Sequence, residues 1–291
     1  MAPIAAALAV GASHSAAAAP AVPMLDCSGL PCADVRVAGG KVLRLSIDTG
    51  DNRSFLDLGV ARTLGLALAP FVGRDGKAVA GVSMATLPDV RLGDERLGDL
   101  KVMIDDLATV TAQGAFPQSQ GTISYADLKG RRLVLDYRRR AISAALSTSP
   151  PACGPRCGVI TYPTFGRQGP PIVVTTGFRV NGEPVTVQVD TLYAGTMLIY
   201  AASVDRLGLK AQSTAGRIRN FPLTDGGVDM VEGRARTESF GPVPLLADAP
   251  LYFATEKVHQ PDGLFDGTVG AEIFKGRVVT LDFAADRFWI E

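Results

Sequence analysis

The residues best equipped for chemistry are two aspartates, Asp48 and Asp190, each followed by a threonine at the end of an alternating run. The first run is Leu45-Ser46-Ile47-Asp48-Thr49-Gly50. The second is Val187-Gln188-Val189-Asp190-Thr191, continuing as Leu192-Tyr193-Ala194-Gly195-Thr196. Alternation of period two marks a strand, and Asp with Gly at a strand end is ordinary turn chemistry. Either motif alone therefore says little. Brought into contact, two carboxylates cannot both ionise cheaply, and they share a proton over a wide pH range. The ionised one can then take a proton from water while its protonated partner polarises a carbonyl. Gly50 has no side chain to keep its N–H away from such a carboxylate.

Other catalytic apparatus is sparse. The only histidines are His14 and His259, which argues against a Ser-His-Asp triad and against a histidine-ligated metal. No Walker loop or dinucleotide glycine pattern sits between a strand and a helix. No cofactor and no metal is expected. The charges balance to a formal net of zero, so there is no basic footprint for nucleic acid. Trp289, the single tryptophan, alternates with Phe288 and Ile290 in the last strand and reads as core or sheet edge.

The surroundings of the two aspartates repeat. Leu64-Gly65-Leu66 follows Asp48 much as Leu207-Gly208-Leu209 follows Asp190. Gly121-Thr122-Ile123-Ser124-Tyr125 aligns with Gly267-Thr268-Val269-Gly270-Ala271, and Lys129-Gly130-Arg131 with Lys275-Gly276-Arg277. Each then runs into a strand, Leu133–Tyr137 or Val279–Phe283. The aspartates are 142 residues apart (190 − 48) and the Gly-Thr anchors 146 (267 − 121). Equal order with near-equal offsets marks a duplicated unit.

A hydrophobic strand ending in Asp-Thr-Gly, a helical Ala61-Arg62-Thr63-Leu64-Gly65-Leu66, a glycine-rich stretch and a Val269-Gly270 element before a final strand resemble the retropepsin-like and pepsin-like aspartic peptidases. The resemblance covers both repeats. It implies a mostly β, bilobal acid-protease-like fold: two homologous β-barrel-like lobes about a pseudo-two-fold axis. It implies Asp48 and Asp190 as the catalytic pair, acting on an extended peptide or protein. Thr49 and Thr191 would cross between lobes and lock the active loops, with Gly50, Asp51, Gly195 and Thr196 as loop support. The glycine-punctuated hairpin containing Gly76, Lys77 and Gly81 would be a flap over substrate, with an ordinary surface loop as the alternative, and Arg217 to Gly227 a second closing loop. The alternative is an inactive peptide-binding module of the same fold. Three positions depart from the pattern. Leu192 replaces a glycine, Ser124 stands where the first repeat should have one, and Asp51 stands where Ser, Thr or Ala is usual.

Two hairpins must deliver the aspartates. Asp34–Val37 and Val42–Leu45 flank Gly39-Gly40, while Phe178–Val180 and Val185–Val189 flank Asn181-Gly182, a strong two-residue hairpin signal. Residues 210–262 are more polar and read as irregular. Residues 25–146 are expected as the first lobe, 147–157 as a linker around Ser147-Thr148-Ser149-Pro150-Pro151, and 158–291 as the second lobe.

Residues 1–24 read as an export signal or disordered leader, because Ile4 to Ala19 is apolar and rich in small residues. That run is too short and too weakly hydrophobic to span a membrane, and no other segment qualifies. The four cysteines form two close pairs, Cys27/Cys32 and Cys153/Cys157. In an exported chain these favour two local disulfides, with a four-thiolate zinc site as the alternative. The expectation is a monomeric periplasmic or secreted protein.

Overall fold

Short alternating segments punctuated by 32 glycines and 19 prolines leave little room for helix. The computed structural model is accordingly built mostly of strands. It describes residues 21–73, 76–107, 118–148, 153, 156–164, 170–223, 226–254 and 263–291. Residues 1–20 of the expected leader, with His14, lie outside these, as does His259. The leader's last residues belong to the sheet: Val22 and Pro23 pair with Ile142 and Ala141, and Met24 is buried.

Among the described residues, an eight-stranded sheet takes all its strands from before residue 125, and a thirteen-stranded sheet takes most of its own from the second repeat. The mostly β, bilobal acid-protease-like fold is the one observed, and its two-fold logic is written in strand register. Val42–Asp48 pairs parallel with Thr122–Ser124, placing Ser46 against Thr122 and Ile47 against Ile123. Glu183–Val189 pairs parallel with Gly267–Val269, placing Gln188 against Thr268 and Val189 against Val269. These are the same pairs displaced by 142 and 146 residues.

The repeated Gly-Thr anchors have a packing reason. A Cβ on Gly121 would lie 2.3 Å from the carbonyl oxygen of Phe55, and one on Gly267 would lie 1.9 Å from that of Leu198. In both repeats the strand after the aspartate loop lies directly against this glycine, and no side chain fits there.

Local signals account for the other shared elements. The helix Leu58–Leu64 starts at Asp57, whose carboxylate accepts the Val60 N–H at 3.0 Å, and stops at Gly65 in the left-handed region. Its counterpart is the single turn Ala201–Val204. The first hairpin pairs Ala69–Val72 with Ala78–Leu92. Its tip closes through Gly73 N–H to Lys77 O at 2.8 Å, with Gly76 and Gly81 at positive φ. The segment 210–262 differs from expectation in carrying long strands, Gly226–Phe240 and Val243–Ala254, preceded by Arg217–Leu223. Exposed Arg234 and Arg236 alternate there with buried Ala235, so an ordinary half-solvated strand reads as a polar stretch.

The repeats join through six strands in the order Val22–Pro23, Ala141–Leu146, Arg131–Asp136, Val278–Asp282, Arg287–Ile290, Gly158–Thr161. Matching equivalent strands, the order reads the same from both ends. At its centre Val134 pairs with Thr280, and the two are sequence equivalents, 146 residues apart (280 − 134). The two-fold axis therefore passes through this pair. Across it, the Arg132 guanidinium bonds the fully buried Asp282 carboxylate at 2.7 Å.

Both cysteine pairs close as local disulfides, Cys27–Cys32 and Cys153–Cys157, and there is no shared thiolate site. The first ties the hairpin in which Leu25 faces Cys32 and Cys27 faces Leu30. Among the described residues, no helix is long and apolar enough to cross a membrane.

Candidate active site

Asp48 ends its strand and Asp190 follows its own, and the turn after each wraps back on the carboxylate. Asp48 Oδ1 accepts the N–H groups of Gly50 and Asp51 at 2.9 and 3.0 Å. Asp190 Oδ1 accepts those of Leu192 and Tyr193 at 2.8 and 3.1 Å. The leucine that replaces glycine therefore keeps the backbone contact, because a hydrogen bond from the main chain does not depend on the side chain. The second loop is one residue longer, and Gly195 and Thr196 lie in its closing part, just before the Met197–Ile199 strand. Gly195 packs under the Tyr193 ring, and the Thr196 hydroxyl donates to Pro250 O.

The two carboxylates meet around Gly50. A Cβ on Gly50 would stand 2.4 Å from the carboxyl carbon of Asp190, while its N–H bonds Asp48. Glycine at this position is thus a steric requirement of the neighbouring lobe's aspartate. The two-fold image of this contact would bring Asp48 against residue 192, which is leucine. The pair is correspondingly unequal, with Asp48 buried and Asp190 half-buried.

Beneath the carboxylates the threonines interlock. Thr49 N–H donates to Thr191 Oγ1 at 3.1 Å, and Thr191 N–H donates to Thr49 Oγ1 at 3.2 Å. Each hydroxyl in turn donates to a carbonyl of the opposite repeat, Thr49 to Val189 and Thr191 to Ile47. Both residues are fully buried, so all four groups are satisfied only across the junction.

Burial, then Asp190, then Asp51 push the Asp48 carboxyl well above the ordinary aspartate range, against the two N–H bonds that favour its anion. Burial pushes Asp190 up to about 6, with Asp51 adding to the rise and the Leu192 and Tyr193 N–H groups opposing it. Asp51 itself is raised by burial and accepts the Arg53 N–H at 3.1 Å. Asp51 thus acts as a third negative group on both members of the pair. Burial and Asp51 also push the Tyr125 phenol up to about 12. Arg53 reaches from this loop to the first hairpin, its guanidinium 4.7 Å from the centre of the Phe71 ring.

Ser124, where a glycine was expected, belongs to a polar cluster that the sequence did not reveal. Its N–H donates to Ser54 Oγ at 2.9 Å, and both hydroxyls donate to Asp127 Oδ2. At the corresponding place in the second repeat stand Gly270 and the buried Ile273. Gln188 was likewise missed: its Nε2 donates to Gly50 O at 2.9 Å across the junction. The only sequence signal was a long polar side chain between two buried valines. Gly76, Lys77 and Gly81 lie in the first hairpin, whose tip closes from Gly73 N–H to Lys77 O. Among the described residues no group of His, Cys, Asp or Glu could hold a metal.

No protein-family model and no curated protein sequence matches the chain. Among solved structures it is similar to basic 7S globulin from soybean, with 11% identity and a TM-score of 0.46, over 93% of this chain and 94% of that one.

Proposed function

We propose that this chain is an aspartic endopeptidase of the retropepsin-like and pepsin-like kind, cleaving extended peptides between lobes formed by residues 25–146 and 158–291 and joined by 147–157. The observation that carries the reading is the pair of carboxyls flanking Gly50, each held by two N–H groups of its own turn and locked from below by Thr49 and Thr191. Asp48, buried where Asp190 is half-buried, holds the shared proton and donates it to the scissile carbonyl oxygen. Asp190 is the base, taking a proton from the attacking water and passing it to the amide nitrogen as the C–N bond breaks, while Asp48 recovers its proton from the collapsing diol. The negative charge that builds on the carbonyl oxygen is met by the Asp48 proton, and no metal is needed in this scheme. The hairpin with Gly76, Lys77 and Gly81 covers the peptide from above. Two disulfides suit an oxidising compartment, which supports a periplasmic or secreted location.

A second reading, a peptide-binding module without turnover, is favoured by Leu192 at the two-fold image of Gly50. One experiment separates them. Wild type, Asp48→Asn and Asp190→Asn are incubated with an unfolded protein substrate across acid and neutral pH, so that both the doubly and the singly protonated pair are sampled. The peptidase reading expects cleavage by wild type alone, with all three folded. Binding of extended peptides without cleavage by wild type would leave the module.

A further inference from the structure

The peptide group between Gly50 and Asp51 is gripped at both ends. Its N–H donates to Asp48 Oδ1 at 3.0 Å, and its carbonyl oxygen accepts from Gln188 Nε2 at 2.9 Å. Gln188 comes from the second repeat, on the strand that leads to Asp190. Its own amide oxygen accepts the Thr268 hydroxyl at 3.3 Å, and Thr268 Oγ1 lies 3.2 Å from the Tyr200 hydroxyl. Gln188, Thr268 and Tyr200 are all buried. A continuous hydrogen-bonded line therefore runs from the second repeat's core, through one peptide of the first, to a carboxylate of the pair.

We propose that Gln188 is a positioning residue that orients and polarises the Gly50–Asp51 peptide for Asp48, making the ionisation of one lobe's aspartate depend on the other lobe's core. Donation to a carbonyl draws electron density from the same peptide's N–H, which then becomes a better donor to an anion. In a buried network such polarisation adds along the line. The arrangement is one-sided. The equivalent of Gln188 in the first repeat is Ser46, whose hydroxyl donates to Ser119 Oγ at 3.0 Å within its own repeat. Residue 188 thus offsets on Asp48 part of what burial and Asp51 impose. The other titratable or charged groups around the pair are Arg53 in the first loop, Tyr125 beside Asp51, and Tyr193 beside Asp190.

The inference rests on the proposed dyad, yet its test does not need turnover. The full chain, labelled with carbon-13 at the aspartate carboxyls, is titrated by NMR as wild type, Gln188→Leu and Tyr200→Phe. Loss of the amide should raise the pair's apparent pKa values by roughly half a pH unit on average, and Tyr200→Phe should move them the same way by less. If Gln188→Leu does not fold, Thr268→Val and Tyr200→Phe carry the test. Folded variants whose aspartates titrate as in wild type would overturn the inference, whether or not the protein cleaves peptides. A moved titration in a protein that cleaves nothing would keep the inference and remove the peptidase.

Discussion

Thr49 and Thr191 each receive the other's backbone N–H and each return a hydroxyl proton to the other's strand, so neither active loop is complete without the opposite one. Thr191→Val keeps the volume and removes the hydroxyl. It leaves the Thr49 N–H and the Ile47 carbonyl unpaired in the interior, at about 1–3 kcal/mol for each such group. Urea unfolding should show a loss of about 3 kcal/mol. A loss below 1 kcal/mol, on the order of one ordinary hydrogen bond, would mean that the junction relaxes around the gap.

Gly50→Ala tests the contact between the carboxylates more sharply than any change to the aspartates. The added methyl must displace the Asp190 carboxyl, because no room exists at 2.4 Å. A displacement near 1 Å costs on the order of 100-fold in rate, so kcat should fall at least that far while the fold survives. Wild-type kinetics in this variant would show that Asp190 does not need its observed place.

Asp51 is predicted to set the pH at which the proposed pair works. Its charge raises both Asp48 and Asp190, and Asp190 stands at about 6. Activity requires a singly protonated pair, so the acid limb of the pH–rate profile should lie above the ordinary aspartate range, with the optimum above it. Asp51→Ser removes a negative neighbour, and the limb should move to lower pH. If the limb stays in place, Asp51 is only a turn residue.

Glu238 predicts an acid-tolerant, base-sensitive fold. It is 2% exposed, both carboxylate oxygens are buried without a partner, and burial pushes its pKa up to about 8. A raised folded-state value means that the native protein keeps a proton the unfolded chain has lost. Stability from this group is complete below the ordinary glutamate value of 4.5 and declines toward 8. The decline approaches about 1.4 kcal/mol per pH unit. Glu238→Leu should flatten thermal stability across that window. An equally steep decline in the variant would put its cause in another group.

The aspartates were legible because each combines a strand period, a turn residue and a hairpin that are all local, and because the repeat doubled the signal. Leu192 departs from the pattern in sequence yet keeps the hydrogen bonds to Asp190, since main-chain donors are indifferent to side-chain identity. Gln188, Ser54 and Asp127 were not legible. A polar residue in an alternating strand reads as solvent-facing, and only pairing with a partner at a distance turns that face inward. Asp127 lies in the single turn Tyr125–Leu128, where nothing local marks an acid as buried. Glu238 was hidden the same way, flanked by Thr237 and Ser239 in a stretch whose polarity masked a strand.

The pairing of Val134 with its own equivalent, Thr280, bears on how the chain is made. Translation at roughly 5–20 residues per second leaves the edge of Arg131–Asp136 open for roughly 7–30 s while the next 146 residues (280 − 134) emerge. Leu133 and Leu135, fully buried in the finished sheet, are then uncovered. Two nascent first halves can satisfy each other in that interval. In the same register, Val134 meets Val134, Leu133 meets Leu135, and Arg132 meets Asp136, the equivalent of the Asp282 it bonds in the native sheet. The interval before the second repeat emerges is therefore when this edge is most open to the wrong partner.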